Sequence, residues 1–328
     1  MNVHERDDGL TTLRTIVIGL RWWGQKISGV VADHEKASLV GVVDLDEKLV
    51  KETTEEVDVP GYLDYNDAFD ELDIDVAIVA VGPDAHVEVA SSCLERGIHT
   101  YLEKPAGPVD DPEAILRLDA LAAENEVTIT PGYSQRYHPY AEKIISLVNS
   151  GQIGRIRSID VLRQADWNDN PQPAPSWGIH DYDLCCLLAD SAPAEIDVRL
   201  PQINSELHAP TAEVLIQHEN GILSRCKTNV TAHELDITMR VHGEDGEVVG
   251  NRQDQWVKLV TPSTTWERTV TEAPYFLDRA LDEYFSRLQQ GDPPFATAQE
   301  VVRGRMIQAA VYKKIRSNSS GHDSEAVH

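Results

Sequence analysis

Gly19-Leu-Arg-Trp-Trp-Gly24 stands directly after a short apolar run, Thr15–Ile18, and opens a helical pattern, with Asp44 closing a second apolar run about 25 residues further on. Glycines in that setting serve a dinucleotide. Gly19 permits a tight turn, Gly24 lets helix and strand approach closely, and the helix N-terminus presents amide hydrogens to a pyrophosphate. Leu20, Arg21, Trp22 and Trp23 fill the turn and are grouped with the cofactor site, although tryptophans there serve helix packing equally well. The pattern's middle glycine is Arg21, whose side chain either displaces the phosphates or places a guanidinium on one. Asp44 suits the ribose hydroxyls and repels a 2′-phosphate, and no Arg or Lys follows it at once, so NAD is expected over NADP. The competing possibility is a tight turn in a fold that binds no dinucleotide.

Four further phrases carry groups able to move protons or hold charge: Gly82-Pro-Asp-Ala-His86, Glu103-Lys104-Pro105, Gln135-Arg-Tyr-His-Pro139 and Gly178-Ile-His180-Asp-Tyr-Asp183. An imidazole titrates near neutrality, which makes His180 a candidate general base, while most isolated histidines are structural. A lone lysine such as Lys104 is ordinarily a solvated surface charge, but one at the carboxyl end of a parallel strand faces the crevice where ligands bind. Asp181 and Asp183 read as N-terminal caps of the next helix, and His86 as the start of another, where a capping or packed role is as plausible as a ligand contact.

These residues must be positioned by regular elements. Apolar, β-branched runs at Thr15–Ile18, Leu39–Val43, Val76–Val81, His99–Leu102 and Val127–Thr130 alternate with helical patterns through Ala32 and at Glu47–Val57, Tyr65–Glu71 and His86–Arg96, the last closed by Gly97. Strand and helix in turn predict a parallel, doubly wound α/β sheet of Rossmann type. The grammar then changes. A helix at Pro139–Asn149 precedes alternating runs at Arg157–Gln164, Glu213–Gln217, Leu223–Val230 and Asp236–His242, which predict an open, mostly antiparallel sheet, with helices at Ile179–Leu188, Phe276–Gln290 and Ala298–Ile315. The expected division is a dinucleotide-binding domain over 13–125, an α+β domain over 126–316, and flexible termini at 1–12 and 317–328.

Composition narrows the function classes. A net charge of -26, from 55 Asp and Glu against 29 Lys and Arg, repels nucleic-acid phosphates and anionic membranes. With arginine outnumbering lysine, it also matches proteins of very salty cytoplasm, where screening removes the self-repulsion, so a halophilic source is expected; an ordinary acidic protein is the alternative. No run of about 18 apolar residues and no basic-then-apolar N-terminus occurs, so neither a membrane span nor a secretory signal is expected and the chain reads as cytoplasmic. Cys93, Cys185, Cys186 and Cys226 have no metal-ligand spacing and read as reduced, packed thiols, with no metal expected.

The phrases quoted above, in their order and spacing, resemble the glucose-fructose oxidoreductase and inositol dehydrogenase family (Gfo/Idh/MocA), over nearly the whole chain including Pro274–Ile315. The resemblance implies that Lys104 lies beside the nicotinamide and hydrogen-bonds the reacting hydroxyl, with Pro105 after a cis bond, and that His180, borne by the second domain, takes the hydroxyl proton. It implies that Gly82, Pro83, His86 and Glu103 join the cofactor site, and that Arg136, Tyr137, Arg163, Trp167, Ser176 and Trp177 lie near the substrate. The family commonly has Asp four residues before the histidine; Ser176 stands there and supplies no charge. The implied activity is reversible oxidation of a secondary hydroxyl on a sugar, nucleotide sugar or polyol, nearest the UDP-N-acetylglucosamine 3-dehydrogenase branch. A glycoside-cleaving relative with retained NAD, or a non-catalytic dinucleotide-binding protein, is the alternative. A homodimer or homotetramer built on the open sheet face is expected as well.

Overall fold

The computed structural model describes residues 12–166, 174–200, 211–270 and 274–319. It divides into two compact units, one running to Ser134 and taking back Leu277–Gln299, the other made of Gln135–Phe276 and the chain from Glu300 on.

The first unit is a six-stranded parallel sheet in the order β3-β2-β1-β4-β5-β6. Its strands are β1 (Leu13–Ile18), β2 (Ala37–Val43), β3 (Gly61–Tyr62), β4 (Val76–Val79), β5 (His99–Glu103) and β6 (Ile129–Gly132). Ile16, Val17, Val76, Ala77, Ile78 and Val79 are wholly buried, as continuous apolar strands between two helical layers must be. The crossovers are α1 (Trp22–Ala32), α2 (Glu47–Val57), α3 (Tyr65–Glu71), α4 (His86–Glu95) and α5 (Ala114–Glu124). Local chemistry sets several of their ends. The Asp46 and Asp64 side chains accept from the amides of Lys48 and Asn66 and cap α2 and α3, and Gly97 at φ 73° follows α4.

The second unit holds an eight-stranded sheet in the order β14-β13-β12-β11-β7-β10-β9-β8. Its strands are β7 (Ile156–Asp166), β8 (Pro193–Arg199), β9 (Thr211–His218), β10 (Leu223–Asn229), β11 (Thr231–Gly243), β12 (Glu247–Asn251), β13 (Trp256–Val260) and β14 (Thr265–Thr269). All neighbours are antiparallel except β7 and β10, which run parallel. Side chains alternate between the faces with the strand period of two. Ile159, Val161, Arg163 and Ala165 of β7 are buried on the face against which α7 (Ala174–Ala189) packs, and α6 (Pro139–Asn149) covers β12 and β13. The opposite face is polar, with Arg225 paired to Asp160 at 2.9 Å and Arg240 to Glu247 at 2.9 Å.

Three expectations change. The first unit extends past residue 125 because β6 pairs with β5, Thr100 facing Ile129 and Glu103 facing Gly132. Helix α8 (Phe276–Gln290), expected in the second domain, belongs to the first from Leu277 on. Its Tyr284 ring meets Tyr101 of β5 with centroids 5.2 Å apart, Phe285 meets His34 at 4.9 Å, and Asp282 takes Lys36 at 2.5 Å. The last helix, α9 (Ala298–Ser319), runs beyond the expected end at Ile315. Among the described residues no helix is long and apolar enough to cross a membrane, and no group of three or more His, Cys, Asp and Glu is placed to hold a metal ion. All four cysteines are buried and unbridged, with Cys185 and Cys226 sulfurs 3.5 Å apart, and burial pushes the Cys93 thiol up to about 12.

Candidate functional site

In the first unit the chemistry gathers at the carboxyl edge of the parallel sheet. Gly19 leaves β1 at φ 98°, and a Cβ there would lie 2.6 Å from the Ala80 carbonyl carbon, so only glycine lets this turn lean on the end of β4. Gly24 is tighter still: a Cβ would stand 1.8 Å from the Gly19 carbonyl oxygen, which sets how closely α1 can start to β1. Asp44 accepts the Leu20 amide at 2.6 Å on one carboxylate oxygen and the Asp46 amide at 2.9 Å on the other, tying the turn to the end of β2. No side chain caps α1, and Arg21 in extended conformation is its N-cap residue. The first turn carries no acidic residue, which suits an anion site at this helix start. The Arg21 side chain is exposed.

Trp22 and Trp23 separate in role. Trp22 is 73% exposed, while Trp23 is half-buried with its indole N–H toward the Glu103 carboxylate; Lys26 lies 5.9 and 5.7 Å from the two ring centroids.

At the end of β5, the Glu103–Lys104–Pro105 phrase turns out of the sheet, with the bond before Pro105 cis. Lys104 is half-buried and donates its amide to Glu103 Oε2 at 3.2 Å. Glu103 is 4% exposed, and its Oε1 has no hydrogen-bond partner among the described residues. Burial pushes its carboxyl up to about 7 against the opposing pull of the Trp23 indole and Lys104. A buried carboxylate between an indole N–H and a lysine is a place for a ligand hydroxyl. Together with the glycine turn it fits a bound dinucleotide.

His86 takes the packed role that the sequence left open beside a ligand contact. It starts α4 and is fully buried, with Nε2 2.9 Å from the Val81 carbonyl and Nδ1 accepting the Gly107 amide at 3.1 Å. Both ring nitrogens are therefore engaged with backbone, and the ring pins the loop after β5 to the loop after β4. Gly82 and Pro83 lie in that second loop, where a Cβ on Gly82 would meet no atom within 4 Å.

In the second unit, His180 lies within α7 and is 8% exposed. The helix begins at Ala174, five residues before its expected start, so Asp181 and Asp183 are mid-helix and cannot cap it. They instead hold buried arginines. Asp181 receives Arg163 Nε and Nη2 at 2.7 and 2.6 Å, and Asp183 receives Arg136 Nε and Nη2 at 2.9 and 2.7 Å. Arg136 also gives Nη1 to Glu300 of α9 at 2.9 Å. Burial alone would lower both arginine pKa values, but the facing carboxylates reverse it and raise them. Opening one such buried pair costs about 3–5 kcal/mol, because the remaining charge is left without a partner.

The structure gives internal partners to two of the residues expected near the substrate. Arg163 is 0% exposed and Arg136 6%, and each forks an internal carboxylate. The Arg163 cation lies 5.0 Å from the Trp177 ring centroid, and Trp177 and Tyr137 are half-buried. Ser176 shares α7 but its side chain lies outside the described residues, as does Trp167. Sequence reasoning did not assign the carboxylates of Asp181, Asp183 and Glu300 to these arginines. Their partners stand 18, 47 and 164 positions away, and only the strand and turn geometry brings them together.

Comparison with known proteins agrees with this geometry. Residues 13–133 match the model of an oxidoreductase family with an NAD-binding Rossmann fold, and residues 141–249 match the GFO/IDH/MocA C-terminal domain. An inositol 2-dehydrogenase of Corynebacterium glutamicum is 28% identical over 170 residues, which span 48% of this chain and 48%, about half, of that relative. The fold resembles UDP-N-acetylglucosamine 3-dehydrogenase GnnA from Acidithiobacillus ferrooxidans, with TM-score 0.82 and 19% identity over 92% of this chain and 96% of the other. It also resembles an oxidoreductase from Agrobacterium radiobacter in complex with NAD+, L-tartaric acid and magnesium, with TM-score 0.82 and 15% identity over 94% and 97% of the two chains. A glycine turn pinned between β1 and β4, a carboxylate closing β2 and a Glu-Lys-Pro turn closing β5 are thus carried by a chain that belongs to the Gfo/Idh/MocA oxidoreductase family.

Proposed function

We propose that the chain oxidises a secondary hydroxyl of a sugar, nucleotide sugar or polyol, reversibly and with NAD rather than NADP. The observation that supports it best is topological. In the order β3-β2-β1-β4-β5-β6, only β4 separates the glycine turn from Lys104, and both lie at the same edge, across the point where strand order reverses and dinucleotides bind. NAD, when bound, accepts the hydride.

The residues divide the remaining work. The α1 N-terminus and Arg21 hold the pyrophosphate; Asp44 takes the adenosine ribose hydroxyls, and exposed Leu45 after it brings no cation for a 2′-phosphate. Glu103 Oε1 accepts a hydroxyl of the bound ligand. Lys104 Nζ hydrogen-bonds the reacting oxygen and favours its alkoxide, and His180 takes the proton that leaves it. Ser176 offers a hydroxyl where the family commonly has a carboxylate, so the base is tuned without a neighbouring charge from that position. UDP-N-acetylglucosamine is the first substrate to try, with inositol and free sugars beside it.

We further propose cytoplasmic location, a halophilic source, and a homodimer or homotetramer covering the open face of the eight-stranded sheet. The proposed domain roles are cofactor binding in the first unit and substrate binding in the second. The test is a panel of nucleotide sugars, hexoses and inositols with NAD or NADP in molar salt, following nicotinamide reduction and thermal shift. Reduction of NAD by one substrate class supports the proposal; a thermal shift with NAD but no reduction across the panel counts against it.

A further inference from the structure

His180 sits between two guanidinium forks. An α-helix turns about 100° per residue, so on the surface of α7 Asp181 stands about 100° to one side of His180 and Asp183 about 60° to the other. From β7, Arg163 grips the first side twice, forking Asp181 and lying over Trp177 one turn earlier at 5.0 Å. From the 3-10 turn Ser134–Tyr137, Arg136 forks Asp183 on the second side and reaches Glu300 in the first turn of α9. Helix α9 presses close at the same point, since a Cβ on Gly304 would come within 3.0 Å of the Asp183 amide nitrogen.

A bidentate fork fixes angle as well as distance, which a single ammonium cannot do. One fork on each side resists rotation of α7 in both senses. That matters for the residue between them. At a reach of about 6 Å from the helix axis, a 10° rotation moves the imidazole about 1 Å, and such a displacement of a reacting group costs about 100-fold in rate. The geometry points to Arg163–Asp181 and Arg136–Asp183 as a rotational clamp that aims the His180 imidazole, making Arg163 and Arg136 positioning residues; this rests on the assignment of His180 as the base.

The test uses the full chain in three forms: wild type, Arg163→Lys, and the double variant Arg163→Met/Asp181→Leu, which removes both charges at similar volume and so avoids an unpaired buried carboxylate. Melting temperature, its rise with NAD, kcat, KM and the ring signals of His180 in histidine-labelled protein are measured, with His180→Ala assigning the signals. The double variant is expected to fold and to gain stability with NAD as the wild type does. Its kcat falls about tenfold or more with KM for NAD within about twofold, and its His180 ring signals broaden or split. Arg163→Lys, charged but unable to fork, shows the same loss. A merely structural ion pair would move the melting temperature alone; kcat within about twofold of wild type with one sharp His180 signal overturns the clamp, as does full activity in Arg163→Lys. If the wild type turns over no substrate, the proposed function fails, and the imidazole spectra alone decide the clamp.

Discussion

Glu103→Gln isolates the ionisation of one buried carboxyl. Burial raises the Glu103 pKa from 4.5 to about 7, so between those values the folded chain keeps a proton that the unfolded chain has lost. The stability contributed by the neutral acid is fully present below the unfolded value and is lost as pH rises through the folded one. At about 1.4 kcal/mol per pH unit the whole loss is about 3 kcal/mol, of which about 2–3 kcal/mol falls between pH 5 and pH 8. Glutamine cannot ionise, and it keeps an acceptor for the Lys104 amide. Chemical denaturation of wild type and variant without cofactor, at pH 5 and pH 8 in one fixed salt concentration, reads the effect as a difference in which the other carboxylates cancel. The variant should gain about 2–3 kcal/mol relative to wild type across that interval. A gap that stays constant would show that Glu103 ionises at its ordinary value, and would refute the account of how this pocket is built.

Other expectations concern the cofactor and the charge. Arg21→Gly should weaken NAD about tenfold in calorimetry if the guanidinium contacts a phosphate; tighter binding would show that the side chain obstructs instead. Asp44→Ala removes the acceptor of the Leu20 amide and one charge-assisted bond to ribose, and should cost NAD about tenfold in affinity while costing NADP less. Equal losses for both would refute the proposed role of Asp44 in cofactor selection. With a net charge of -26, the melting temperature should climb as salt rises from about 0.1 M to about 3 M; a flat response would contradict halophily.

Where local chemistry decides a structure, the sequence revealed it. Helices α2 and α3 run over the expected residues because Asp46 and Asp64 are capping types placed where a polar face begins. Continuous apolar runs marked the parallel strands, and the glycine turn marked where β1 hands over to α1. The antiparallel sheet was harder. Thr265–Thr269 forms edge strand β14 with four of its five residues exposed, so no apolar alternation announces it, and β8 with pattern Pro-Ala-Glu-Ile-Asp-Val-Arg is almost as bare. Amphipathic α8 declares that it packs but not on what; Tyr101 and His34, far back in the chain, determine that.

The site shows the same division. Gly19 and Gly24 are legible because backbone geometry demands glycine at both. The partner of Arg163 was not: only the strand register puts this cation on the buried face of β7 opposite Asp181. His86 likewise lacks any local sign that its ring bridges two loops.

The central claim is that Lys104 and His180 carry the chemistry of hydride transfer from a carbinol. Its most direct test is steady-state turnover of Lys104→Met and His180→Ala on the substrate the panel identifies, at saturating NAD, with the NAD-induced rise in melting temperature as control. Each variant should lose about 100-fold or more in kcat while keeping that rise. Wild-type turnover in either variant would contradict the account.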